Sequence, residues 1–133
     1  MTSTPFAAAA AEAEKFVREA RLAVFARVAP AGKVDRRLMD VEQRIVHGFA
    51  WMATYAETLR EVALWGERLT AAGAFGETED LLTRVLFGEY LAQLVGGLPM
   101  TQSEMIRPGD LGIEDAAARL AAAMDAPLLV LTV

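Results

Sequence analysis

Ile45-Val-His-Gly-Phe-Ala-Trp-Met-Ala-Thr-Tyr-Ala56 contains no Asp, Glu, Lys or Arg. At about 3.6 residues per turn, a helix over this stretch completes more than three turns without a formal charge. It lies inside a longer segment, Asp35 to about Ala72, that reads as a single helix. Asp35 is placed to cap its start and Gly73 to stop its end. Two stripes emerge at about 100° per residue. The first, Leu38, Val41, Ile45, Phe49, Met52, Ala56, Leu59 and Ala63, has the three-and-four spacing of a core-facing seam. The second lies roughly opposite and holds His47, Trp51, Thr54, Tyr55, Thr58, Val62 and Trp65. The charges of this segment are crowded into a side sector (Glu57, Arg60, Glu61, Arg68) and toward the ends. A helix apolar on two faces is usually buried on two faces. Either it is the central rod of its own bundle, or one face meets another polypeptide. Gly48 and Gly66 interrupt it at a cost of about 0.5–1 kcal/mol each. They either admit another backbone closely or are simply tolerated.

Outward from this segment, other helices follow. Thr4-Pro5 suits a helix start, and Ala13, Phe16 or Val17, Ala20, Val24 and Val28 form an apolar stripe ending at Ala29-Pro30-Ala31-Gly32. Residues 1–12 are Ala-rich, with fraying expected or a low-complexity linker as the alternative. Phe75 is expected to fold back on the helix pair. A helix from about Gly76 carries acids in its first turn, Glu77, Glu79 and Asp80, where they suit the helix dipole. Its apolar residues, Leu81 to Val95, lie almost all the way round, so it is expected to be mostly buried. Gly96-Gly97 ends it, and Leu98-Pro99-Met100 is an extended bridge. Thr101-Gln-Ser-Glu104 fits a capping box, with Met100 and Met105 as a staple, and predicts a short helix before Pro108. A last helix runs from about Ile113 to Asp125 with the stripe Ile113, Ala117, Leu120 and Met124, and Pro127 closes it. The tail, residues 128–133, is apolar and is expected to be packed or paired. The fold class is therefore all-α: a bundle of about four helices built on one long central helix, with residues 1–133 as a single domain.

Composition narrows the function. The 133 residues carry 13 basic and 18 acidic side chains, a net charge of −5, and no cysteine. Disulfides, thiolate catalysis and cysteine-ligated metals are excluded. No basic face is available to neutralise phosphates, so neither nucleic acid nor an anionic membrane is an expected partner. No apolar run approaches the roughly 20 residues that span a bilayer. Acids at Glu12 and Glu14 do not fit a signal peptide, and a cytoplasmic protein is expected.

Candidate chemistry is sparse. His47, the single histidine, lies five residues after Glu42 rather than at di-iron Glu-x-x-His spacing, and it is expected to be buried and hydrogen-bonded. Glu89 in the apolar third helix could carry a raised pKa, but is expected to pair with Arg44, Arg84 or Arg107. Trp51, Tyr55 and Trp65 could stack a flavin or adenine, or be core. Gly96-Gly97 lacks a phosphate-binding signature. No catalytic, cofactor-binding or metal residue is assigned. His47, Trp51, Tyr55, Trp65, Gly96, Gly97, Pro99 and Met100 are the candidate interface.

Five blocks occur in one order: His47-Gly-Phe-Ala-Trp-Met-Ala-Thr-Tyr55, Phe75-Gly-Glu77, Phe87-Gly-Glu-Tyr-Leu-Ala-Gln93, Gly96-Gly-Leu-Pro-Met100 and Arg107-Pro-Gly-Asp-Leu-Gly112. Over about Ala20 to Gly112 the chain resembles the N-terminal extension of methylsuccinyl-CoA dehydrogenases, a branch of the flavin-dependent acyl-CoA dehydrogenases. The resemblance implies that full-length members use FAD to oxidise (2S)-methylsuccinyl-CoA to mesaconyl-CoA and pass electrons to an electron-transfer flavoprotein. It places the flavin site and the catalytic glutamate in a core that follows the extension. The last twenty residues do not match the family, and the matched region holds no family catalytic residue. Two functions follow as expectations. One is a non-catalytic packing module that meets an acyl-CoA dehydrogenase core or self-associates. The other is an enzyme component that contributes to FAD or acyl-CoA binding.

Overall fold

A computed structural model describes residues 4–124. Five helices make up nearly all of it: α1 (Thr4–Val28), α2 (Arg36–Val41), α3 (Gln43–Ala71), α4 (Glu77–Gly96) and α5 (Glu114–Ala123). A two-stranded antiparallel ribbon, β1 (Leu98–Pro99) with β2 (Met105–Ile106), and a 3-10 turn over Pro108–Leu111 join α4 to α5. The all-α bundle is as expected.

α1 lies along α3 for most of its length. Ala13, Phe16, Ala20, Val24 and Val28 are buried on one helix, and Ile45, Met52, Ala56, Leu59 and Ala63 on the other. Alanines are interspersed with larger side chains on both seams, which lets the helices approach closely and fill the space between them. Residues 4–12 continue α1, and Phe6 is fully buried against Phe87 at 5.2 Å and Phe75 at 6.4 Å between ring centroids. Phe75 thus turns back onto the helix pair, as expected. α5 packs on both α1 and α4, with Ile113, Ala117 and Leu120 inward. The closing role of Pro127 and the packing of residues 128–133 lie outside the described residues.

The long helix does not run unbroken from Asp35. Asp35 accepts the N–H groups of Arg37 and Leu38 as a cap, but the helix it starts stops at Val41. Glu42 leaves the helical conformation (φ −100°, ψ 24°), and α3 begins one residue later. No Pro or Gly marks the break. A tertiary contact accompanies it: Arg27 of α1 lies 3.4 Å from the Glu42 carboxylate and also donates to the Asp110 carbonyl at 2.9 Å. Val41, placed on the core seam by periodicity, is instead 79% exposed.

α4 also departs from expectation. Its core side holds Thr83, Phe87, Leu91 and Leu94, but Leu81, Leu82 and Val85 are exposed. A helix with apolar residues all round needs neighbours all round, and within residues 4–124 α4 has them on every side but the sector that holds these three residues.

Thr101-Gln-Ser-Glu104 opens no helix. The Thr101 hydroxyl does accept the Glu104 N–H at 3.1 Å, as a capping box requires. However, Met100 and Thr101 both donate to the Glu104 carbonyl, which turns the chain back as a hairpin. Gly97 makes the entry possible with φ +141°, a conformation that favours glycine. The ribbon then lays Ile106 on Gly48 of α3. A Cβ at Gly48 would fall within 3 Å of three Ile106 side-chain atoms, so this glycine serves a close approach.

Arginines tie the ribbon and 3-10 turn to the helices. Arg44 donates to the Met105 carbonyl at 2.9 Å and pairs with Asp110 at 3.3 Å. Asp110 also accepts the Arg107 backbone N–H at 2.8 Å. Burial alone would raise the Asp110 pKa, but the Arg107 N–H and the Arg44 guanidinium outweigh it and hold the carboxyl below its ordinary value. A carboxyl whose folded pKa is depressed adds stability that is present above its unfolded pKa and lost as pH falls through the folded one. Asp110→Ala is therefore expected to cost about 1–2 kcal/mol at pH 7, in line with a helix-cap carboxylate. The difference from the wild type should shrink once the pH drops below about 4. Urea unfolding of both proteins at pH 7 and pH 3 measures this.

Candidate interaction surface

The charge-free stretch of α3 carries its first stripe inward and leaves part of its second in solvent. His47 and Thr54 are exposed, and Trp51 is 37% exposed. Trp51 Nε1–H donates to His47 Nε2 at 2.9 Å, one helical turn away. His47 is thus hydrogen-bonded as expected but not buried: its neighbour Gly48 faces the ribbon, which turns His47 outward. The Thr54 and Thr58 hydroxyls donate back to the carbonyls of Ala50 and Thr54, each at 2.8 Å. The Trp51, Thr54 and Thr58 donors of this face are therefore satisfied within the helix, so a partner can cover these three side chains at little desolvation cost.

Deeper along the stripe, Tyr55 stacks on Tyr90 of α4 at 4.1 Å and 18°, and its hydroxyl donates to Gln93 Oε1 at 2.7 Å. Burial, with Tyr90 beside it, raises the Tyr55 pKa. Trp65 is half-buried, edge-on to Phe75 at 6.4 Å. It closes an open groove of about 640 Å³ floored by Thr54, Thr58 and Val62 and edged by Glu57, Glu61 and Arg68.

The candidate interface residues do not form one patch. His47 and Trp51 share the end of α3 that the ribbon reaches. Trp65 lies about 21 Å farther along the axis at ~1.5 Å per residue. Gly96 and Pro99 are exposed, Met100 is half-buried, and Gly97 is buried in the ribbon. Nor do the three aromatic rings make a platform for a flavin. One face of Tyr55 is taken by Tyr90, Trp51 meets Tyr55 at 83°, and Trp65 meets Phe75 at 70°. Among the described residues no group of three His, Cys, Asp or Glu side chains could hold a metal ion, and no helix is long and apolar enough to cross a membrane.

Glu89 is exposed, and the buried carboxylate of α4 is Asp80, one helical turn inside its start, which pairs with Arg84 at 2.8 Å. Periodicity could not separate the two, because α4 is apolar on every side. Leu22 and Phe25 are exposed on α1. Their position outside the α1 stripe was the available signal.

Fold and surface define an all-α bundle with an exposed aromatic group on an uncharged stretch of its longest helix. The chain is similar to (2S)-methylsuccinyl-CoA dehydrogenase of Cereibacter sphaeroides, with 46% identity over 103 residues. The match covers 77% of this chain and 19% of that enzyme, so the chain spans about one fifth of the length of the curated relative it matches. The resemblance carried by the five sequence blocks is borne out. No family model matches the chain.

Proposed function

We propose that this chain is a non-catalytic packing module that docks on an acyl-CoA dehydrogenase core. The observation that carries this reading is the His47–Trp51 end of α3: an uncharged helix face, internally hydrogen-bonded, still exposed after the other helices have packed. The similarity to one fifth of a methylsuccinyl-CoA dehydrogenase supports the choice of partner. In that enzyme the remaining four fifths would supply the FAD site and the oxidation of methylsuccinyl-CoA. Self-association through the same face is the competing use of it.

The test adds the rest of the Cereibacter sphaeroides enzyme to this chain and measures affinity, with light scattering of the chain alone at two concentrations. A central aromatic anchor contributes about 2 kcal/mol or more to an interface. Trp51→Ala is thus expected to weaken binding about 30-fold while leaving the chain folded, since the indole is already partly in solvent. Unchanged affinity and mass would remove the stripe from the interface. A flavin absorption band on the chain alone after FAD is added would favour the cofactor-binding role instead.

A further inference from the structure

Trp51 and His47 set a condition on the surface they share. An indole N–H is a donor only. The imidazole nitrogen that accepts it at 2.9 Å must therefore hold a lone pair and cannot carry a proton, whichever way the ring is turned. His47 is thus neutral in this arrangement, with its proton on the other ring nitrogen. Protonating the ring makes both nitrogens donors, and the Trp51 N–H then loses its acceptor. Among the described residues Trp51 Nε1 bonds only to His47, and His47 only to Trp51. The charged and titratable groups near this end of α3 make no bond to His47. Arg44 pairs with Asp110 at 3.3 Å and Arg27 with Glu42 at 3.4 Å, and the Arg107 guanidinium reaches Met105 Sδ at 3.3 Å. Tyr55 and Tyr90 stack on each other, and Asp40 on α2, Glu104 beside the ribbon and Glu89 on α4 are exposed.

We infer that the His47–Trp51 face docks only while His47 is neutral, so that the contact is linked to one proton and released by mild acid. The inference rests on the docking role proposed above and adds its regulation. Covering the face takes the indole N–H out of water. With His47 neutral, that donor already has its acceptor. With His47 charged, docking would bury an unpaired donor beside a desolvated imidazolium, and both are unfavourable. The remaining N–H of the neutral ring has no acceptor among the described residues, so the partner has to bring an uncharged one, such as a backbone carbonyl. A carboxylate there would favour the charged ring. Docking that starts from imidazolium must first release a proton. Affinity is therefore full above the ordinary titration range of an imidazole, about pH 6.5, and falls toward tenfold per pH unit below it. His47 is the single histidine of the chain, so the chain has no other side-chain type that ordinarily titrates in this range.

The test has two arms and uses the full chain. In the first, NMR of the chain alone follows the His47 ring and both indole N–H resonances through a pH titration. The Trp51 resonance is expected to move together with His47, while that of Trp65 stays still. A Trp51 resonance that ignores the His47 titration would overturn the inference without touching the docking role. In the second, affinity for the rest of the Cereibacter sphaeroides enzyme is measured at pH 7.5 and pH 5.5. The wild type is expected to bind about tenfold more weakly at the lower pH, where roughly one imidazole in ten is still neutral. His47→Gln offers an amide oxygen to the indole and does not titrate. It should bind within about twofold of the wild type at the higher pH and show no pH dependence. Wild-type affinity that stays flat or rises in acid, or an equal fall in His47→Gln, would sink the proton linkage and leave the docking role standing. No binding at either pH would remove both.

Discussion

Phe87→Ala is expected to cost about 3–5 kcal/mol of folding stability, the range for emptying a buried aromatic site. Phe87 is fully buried and packs against Phe6 at 5.2 Å, so it joins α4 to the start of α1. Phe6 in turn touches Phe75 and lies under the Arg84 guanidinium at 5.8 Å. Removing the Phe87 ring leaves a cavity that these groups can refill only by moving α1 against α4. A domain of this size has on the order of 5–15 kcal/mol in all, so the loss is a large fraction. Urea unfolding should show a lower midpoint with an unchanged slope. Val41→Ala is the control: its side chain is 79% exposed, and the change should stay within about 0.5 kcal/mol. If Phe87→Ala costs no more than Val41→Ala, the α1–α4 contact is not part of the core.

Gly48→Leu should separate the ribbon from α3. Ile106 is fully buried, and its own Cβ would lie 2.7 Å from a Cβ at position 48. Rotating the Ile106 side chain cannot relieve a clash with its Cβ, so the backbone of β2 must move. Overpacking of this kind costs about 1–3 kcal/mol, occasionally more, and Leu falls at the upper end. Replacing a helix glycine returns at most about 1 kcal/mol of propensity. For Gly48→Ala the two effects partly cancel, and for Gly48→Leu the clash wins. Hydrogen exchange should show faster opening at Leu98 and Ile106, with the α1–α3 pairing retained. Ile106→Ala removes two of the three clashing atoms. Combined with Gly48→Ala, it should cost less than the sum of the two single changes. Strict additivity would mean that the two residues do not meet.

Much of this architecture was legible in the residues. Three-and-four spacing located α1, α3 and α5, and it named Ile45, Met52, Ala56, Leu59 and Ala63 as core. The cap at Asp35, the stops at Gly73 and Gly96-Gly97, and a close-approach role for Gly48 were also open to reading. The misreadings share one cause. Glu42 has no helix-breaking side chain, and the break there coincides with a contact from Arg27. Thr101 makes the hydrogen bond of a capping box, yet the same bond serves a hairpin once Glu104 O accepts from Met100 and Thr101. α4 is apolar all round, so its pattern could not say which side would meet α1 and α3.

The candidate surface divides the same way. Sequence alone determined that α3 has two uncharged faces, because charge and period are local properties of the chain. Tertiary structure decided which parts of the second face stay open. Tyr55 is covered because Tyr90 stacks on it, and Trp65 is half-covered because Phe75 folds back. His47 and Trp51 remain in solvent while the ribbon occupies Gly48 beside them. Burial of a helix face depends on what distant segments bring to it, and no spacing within the helix encodes that.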